Sequence, residues 1–78
     1  MPAEKGKRTR DRENARRLAR QHAEADVRNA NHDLEVLRAS RRGAERQHDT
    51  SLVARIDREI DRVKSRKRDA ERRVRELR

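Results

Sequence analysis

Between Leu52 and Leu77 the apolar residues fall on one line. Val53, Ile56, Ile60, Val63, Lys67, Ala70, Val74 and Leu77 recur at alternating steps of 3 and 4, and nearly everything between them is charged. This is a heptad repeat with a single lysine in its seam. Such a segment can bury only one stripe, which predicts a helix laid against another helix. Upstream, Ala15, Ala19, Ala23, Val27, Ala30, Leu34 and Leu37 form a weaker, alanine-rich stripe that settles into heptad spacing from Ala23. Carried forward, that stripe would place His48, Ser51, Arg55 and Arg58 on its seam, all of them polar, so one uninterrupted seam is disfavoured.

The break falls between Ser40 and Ser51. Gly43 suits the left-handed residue that ends many helices, and the polar run His48, Asp49, Thr50, Ser51 holds three candidate N-caps. Met1 to Arg8 contains Pro2 and Gly6 and no apolar periodicity, and reads as a flexible arm; Thr9 or Asp11 would cap the helix that follows. The predicted organisation is a disordered basic arm over 1–8 and a helical hairpin over 9–78. Within the hairpin, helix 1 covers about 9–42, a turn about 43–50, and helix 2 about 51–78.

Set antiparallel, the two stripes pair in one register. With residue numbers summing to 97, Leu37 meets Ile60, Leu34 meets Val63, Ala30 meets Lys67, Val27 meets Ala70 and Ala23 meets Val74. The turn then centres between His48 and Asp49, among the caps. Flanking charges help to choose this register: Asp26 falls near Arg66 and Arg73, Arg38 near Asp57, and Glu24 near Arg78, while Asp33 with Glu59 and Glu24 with Glu71 oppose it. A parallel homodimer of helix 2 is the rival. Its a positions would be Val53, Ile60, Lys67 and Val74, and β-branched residues with one lysine there favour two strands.

Composition narrows the stability argument. Ten of the 23 apolar residues are alanine and no aromatic residue is present, so the core of this 78-residue chain is thin and self-association is expected. The fold class is therefore all-α, an antiparallel coiled-coil hairpin that self-associates. There is no cysteine for a disulfide or a thiolate zinc site, and no apolar run suits a signal sequence or a membrane span. The expected location is intracellular: cytoplasm or nucleoid, or the nucleus of a eukaryotic cell.

Charge supplies the functional reading. The chain carries +9, and residues 5–20 and 62–78 each hold +6 while residues 21–61 hold −2. In a hairpin those two segments would lie side by side at the open end and attract polyanions. The candidate phosphate contacts are Arg8, Arg10, Arg12, Arg16, Arg17 and Arg20 on one segment, and Arg62, Lys64, Arg66, Arg68, Arg72, Arg73 and Arg75, with Lys67, on the other. The bland alternative is a solvated face laced by pairs such as Glu13 with Arg17, Glu24 with Arg28 and Glu71 with Arg75. Without aromatic residues to stack on bases, single-strand sequence recognition is not expected. Arg10 to Gln21, with Asn14 inside, has the charge of a bZIP basic region but not its pattern. That family carries Ala three and four residues after its Asn, then Cys or Ser and Arg at seven and eight; here those places hold Arg17, Leu18, Gln21 and His22.

Of His22, His32 and His48, only His22 with Asp26 has helical ligand spacing, so no metal is expected, and no cofactor. No enclosed pocket for a nucleophile or paired carboxylates can be built on two helices, so the chain is not expected to be an enzyme. Expected partners are nucleic acid, DNA or RNA, and further copies of the chain, not a membrane. The function expected is an accessory or architectural nucleic-acid-binding protein. The alternative is a structural adaptor whose seam captures a helix of a partner protein. The candidate helix-helix interface comprises Ala23, Val27, Ala30, Leu34 and Leu37 on helix 1, with Val53, Ile56, Ile60, Val63, Lys67, Ala70, Val74 and Leu77 on helix 2.

Overall fold

The chain is described by a computed structural model, with backbone from Pro2 to Arg78 and side chains from Thr9 onward. It consists of two helices, α1 (Pro2–Arg46) and α2 (Thr50–Glu76), packed against each other as a hairpin, with no strand among the described residues. Thr9 and Asp11, expected as caps, lie inside α1. The arm expected over 1–8, Arg8 included, lies outside the fully described residues.

The turn is shorter than the sequence suggests, spanning only residues 47–49. Gly43 does not end α1; it stays helical, and His48 takes the left-handed conformation instead, at φ 57. His48 N donates to Glu45 O at 3.0 Å and Asp49 N to Ala44 O at 3.0 Å, the paired bonds of a Schellman motif. Asp49 then opens α2 by accepting from Leu52 N at 3.0 Å. The reason for the longer helix is Ala44, which is 2% exposed and belongs to the core. It continues the first seam seven residues beyond Leu37, and ending α1 at Gly43 would forfeit its burial.

Along the seam the two helices run antiparallel. Asp33 pairs with Arg66 and Asp26 with Arg73, numbers summing to 99, and Arg41 pairs with Asp57, summing to 98. Every stripe residue from Ala23 to Leu37 and from Val53 to Leu77 is buried or half-buried. The larger side chains gather at the turn, where Leu34, Ile56, Ile60 and Val63 are buried with Ala30 and Ala44, and Leu37, Leu52 and Val53 pack against them. Toward the open end the fully covered residues are alanines, Ala23 and Ala70. The hairpin is thus held hardest at its turn, because a buried Ile or Leu contributes about 1.5 to 3 kcal/mol and an alanine much less.

The long axis follows from α1 alone. Its 45 residues at about 1.5 Å each give about 67 Å, against extents of 70 × 14 × 14 Å. Since α2 has only 27 residues, it covers little more than half of α1. In the observed register Arg78 falls beside Ala19 to Gln21, and among the described residues the helix N-terminal to that point meets α2 only where Leu77 shares a groove with Glu13, Arg16 and Arg17.

Two substitutions test this arrangement. A methyl group at Gly43 would meet nothing within 4 Å and the residue has no positive φ. Gly43→Ala should therefore raise stability by about 0.5 to 1 kcal/mol in chemical denaturation; a decrease would mean that the helix does end there. Lys67, half-buried in the seam beside Leu34, shares its groove with three cations, Arg38, Lys64 and Arg68, and one acid, Glu71. Lys67→Leu should raise the melting temperature, by about 1 kcal/mol of added apolar burial and relieved repulsion, whereas an unchanged value would place its stem outside the seam.

Candidate nucleic-acid interface

The apolar seam of α1 stops at Ala23. Stepping back by heptads, the next seam positions are Arg20, Arg16, Glu13 and Thr9, which cannot bury against a second helix. Residues 9–22 are accordingly all exposed, Leu18 among them at 55%. The two basic segments do not lie side by side as expected. Residues 62–78 pack along roughly 19–35 of α1, and residues 9–18 project beyond the end of α2, because the register that pairs the seam puts Arg78 opposite Ala19. The basic segments follow one another along the rod.

Around the projecting helix the arginines are one-sided. At about 100° per residue, Arg12, Arg16, Arg20, Arg17 and Arg10 occupy an arc of about 160°, with Glu13 as the one acid among them. Ala15, Leu18, Ala19 and His22 take the opposite side. Arg16, Arg17 and Arg20 share a groove with Glu13 and with Leu77 at the end of α2.

The paired part of the rod is also two-sided. On one flank Asp33 accepts from Arg66 and Asp26 from Arg73, the latter at 3.5 Å, so these two arginines have carboxylate partners within the hairpin itself. On the other flank Arg38 lies with Lys64, Lys67 and Arg68, and Arg75 and Arg78 lie with Glu24 and Glu71. The arginine arc of the projecting helix is centred on the extension of the seam, and its Arg17 and Arg10 edge continues that flank. Among the described residues, Arg10, Arg12, Arg16, Arg17, Lys64, Arg68 and Arg75 make no ion pair, whereas Arg20, Arg62 and Arg72 bridge to Glu24, Glu59 and Asp69 on their own helices. The pairs expected between Glu13 and Arg17, Glu24 and Arg28, and Glu71 and Arg75 are not formed. From Arg10 to Arg38 the basic face extends over about 42 Å.

Near the turn sits a polar clamp that the sequence reading missed. Arg41 occupies a seam position of α1, and its Nε and Nη2 donate to the two carboxylate oxygens of Asp57 at 2.6 and 3.2 Å; Nη1 also reaches Glu45. Arg38, expected beside Asp57, is displaced from it. The hydrogen bonds from Arg41, helped by its charge and opposed by partial desolvation, hold the Asp57 carboxyl below the usual carboxylate range. The same partner raises Arg41 above the usual arginine range. The available signal was the seam spacing itself, which places Arg41 four residues after Leu37.

Comparison with protein-family models, curated proteins and solved structures gives no significant match. No helix among the described residues is long and apolar enough to cross a membrane.

The clamp gives a pH test with a defined sign. A carboxyl depressed in the folded chain contributes stability above its unfolded pKa and loses it as pH falls through the folded value. The melting temperature should therefore drop on acidification below about pH 4, and Asp57→Asn should be less stable at neutral pH with a flatter acid limb. Parallel acid limbs in the two proteins would exclude Asp57 as a source of that drop.

Proposed function

We propose that this protein is a small accessory or architectural nucleic-acid-binding protein, without enzymatic activity, held to phosphates by the basic face that runs along one side of its rod. The observation that carries this reading is the division of the cations. Arg66 and Arg73 pair with carboxylates across the seam, while among the described residues Arg10, Arg12, Arg16, Arg17, Lys64, Arg68 and Arg75 make no ion pair, and Lys64 and Arg68 lie with Arg38 and Lys67 on the flank away from Asp26 and Asp33. Unpaired cations in a line about 42 Å long suit the regular phosphates of a nucleic acid. Contacts of this type give affinity with little choice of sequence. The reading places the protein inside the cell. It also includes self-association through coiled-coil packing, which the alanine-rich open end of the seam favours. The seam offers less to a partner helix, because α1 already covers Ile56, Ile60 and Val63.

Fluorescence anisotropy with a labelled duplex at several salt concentrations tests the proposal. With six or more phosphate contacts, affinity should fall by about 10³-fold or more between about 50 and 200 mM salt. Lys64→Gln, Arg68→Gln and Arg75→Gln together should reduce the slope of log K against log salt by about 2 to 3, with the melting temperature nearly unchanged. Arg66→Gln with Arg73→Gln should instead lower the melting temperature more than the affinity. Salt-insensitive binding, or none at low salt, would overturn the proposal.

A further inference from the structure

The rod changes cross-section where α2 ends. Below that point it is two helices, each about 10 to 12 Å across with axes about 8 to 10 Å apart, and therefore close to 20 Å wide. Beyond it α1 continues as a single helix over residues 9–18, carrying Arg10, Arg12, Arg16 and Arg17, with Arg20 level with the end of α2. The nucleic-acid reading treats both parts as one phosphate-binding face, but their arginines are arranged differently. On α2, Lys64, Arg75 and Arg68 fall within an arc of about 40°, which addresses a single line of phosphates. On the projecting helix the arc is about 160°, too wide for one line.

An arc that wide, on a helix that thin, suits a groove with a wall of phosphates on either side. Arg12 and Arg10 stand at its two edges, and Arg16 and Arg17 lie between them. The major groove of B-form DNA is about 12 Å wide and admits one helix but not two; its minor groove, at about 6 Å, admits neither. The major groove of A-form RNA is deep and narrow and closed to side chains. We propose that the projecting segment of α1 seats in the major groove of double-stranded DNA, stops where α2 begins, and lets Arg75 and Arg78 reach the strand beside the point of exit. The inference rests on the nucleic-acid reading and adds to it a form of duplex, a groove and a depth of insertion. The arginines are positioned by the groove walls, so this docking implies no fixed base sequence, in keeping with the absence of a bZIP pattern around Asn14.

The experiment uses the full chain with a mixed-sequence DNA duplex and an RNA duplex of the same sequence at the same salt, followed by dimethyl sulfate footprinting on the DNA. DNA should bind at least about tenfold more tightly than RNA. Guanine N7, in the major groove, should be protected over about 4 base pairs, the length of residues 9–18, while adenine N3 in the minor groove stays reactive. Arg10→Gln, Arg12→Gln, Arg16→Gln and Arg17→Gln together should abolish the N7 protection and the preference for DNA, leaving salt-dependent binding through α2. Should that variant lose helix by circular dichroism, the footprint of the unsubstituted chain decides by itself. Equal affinity for the two duplexes, unprotected N7, or protection at adenine N3 would overturn the groove docking while leaving phosphate binding intact. Failure to bind either duplex at low salt would overturn both.

Discussion

A single apolar seam, one stripe wide on each helix and registered from a three-residue turn, is the constraint from which the rest of the molecule follows. With no aromatic side chain and alanine as the commonest apolar residue, burial is available only where both stripes are present together. That condition holds from Ala23 to Ala44 on α1 and from Val53 to Leu77 on α2. Outside it a helix can persist through propensity alone, because its arginines and alanines favour helix, but it cannot recruit a second layer. The unequal lengths of α1 and α2 thus become a difference in cross-section along the rod.

The same register sorts the charges. Individual exposed ion pairs contribute about 0.2 to 1 kcal/mol, too little to hold the hairpin, yet they determine which cations remain open to a partner. Asp26 and Asp33 occupy one flank of α1, so Arg73 and Arg66 are drawn there. Among the described residues no acid of α1 is paired with Lys64, Arg68 or Arg75 on the opposite flank. Arg41 shows the converse use of a seam position: its fork is held by Asp57 rather than offered to solvent. An arginine-rich composition alone would not distinguish these cases.

Much of the architecture was legible because it is periodic. Helix type, the antiparallel pairing and the location of the turn all came from residues repeating three and four apart; each stripe residue from Ala23 to Leu37 and from Val53 to Leu77 lies in the covered seam, whereas Ala15 and Ala19, named in the same stripe, are exposed because α2 does not reach them. Two of the misreadings lie near the turn. Gly43 looked like a helix end because glycine is the cheapest left-handed residue, but burial of Ala44 outweighed that preference and His48 took the strained conformation. Arg41 was passed over because a charge in a seam reads as solvent-exposed until its partner, Asp57 on the other helix, is in view.

The sequence by itself determined the helices, their shared seam and the excess of arginine at both ends, since these depend on neighbours a few residues away along one chain. The tertiary structure decided which side of the rod each charge occupies and where the second helix stops covering the first. Those depend on the rotation of both helices about their common seam and on the register between residues some 16 to 47 apart, quantities set by packing across the pair. Only with that rotation in place do two stretches of equal charge separate into a broad arginine arc on a lone helix and a narrow basic line on a paired one.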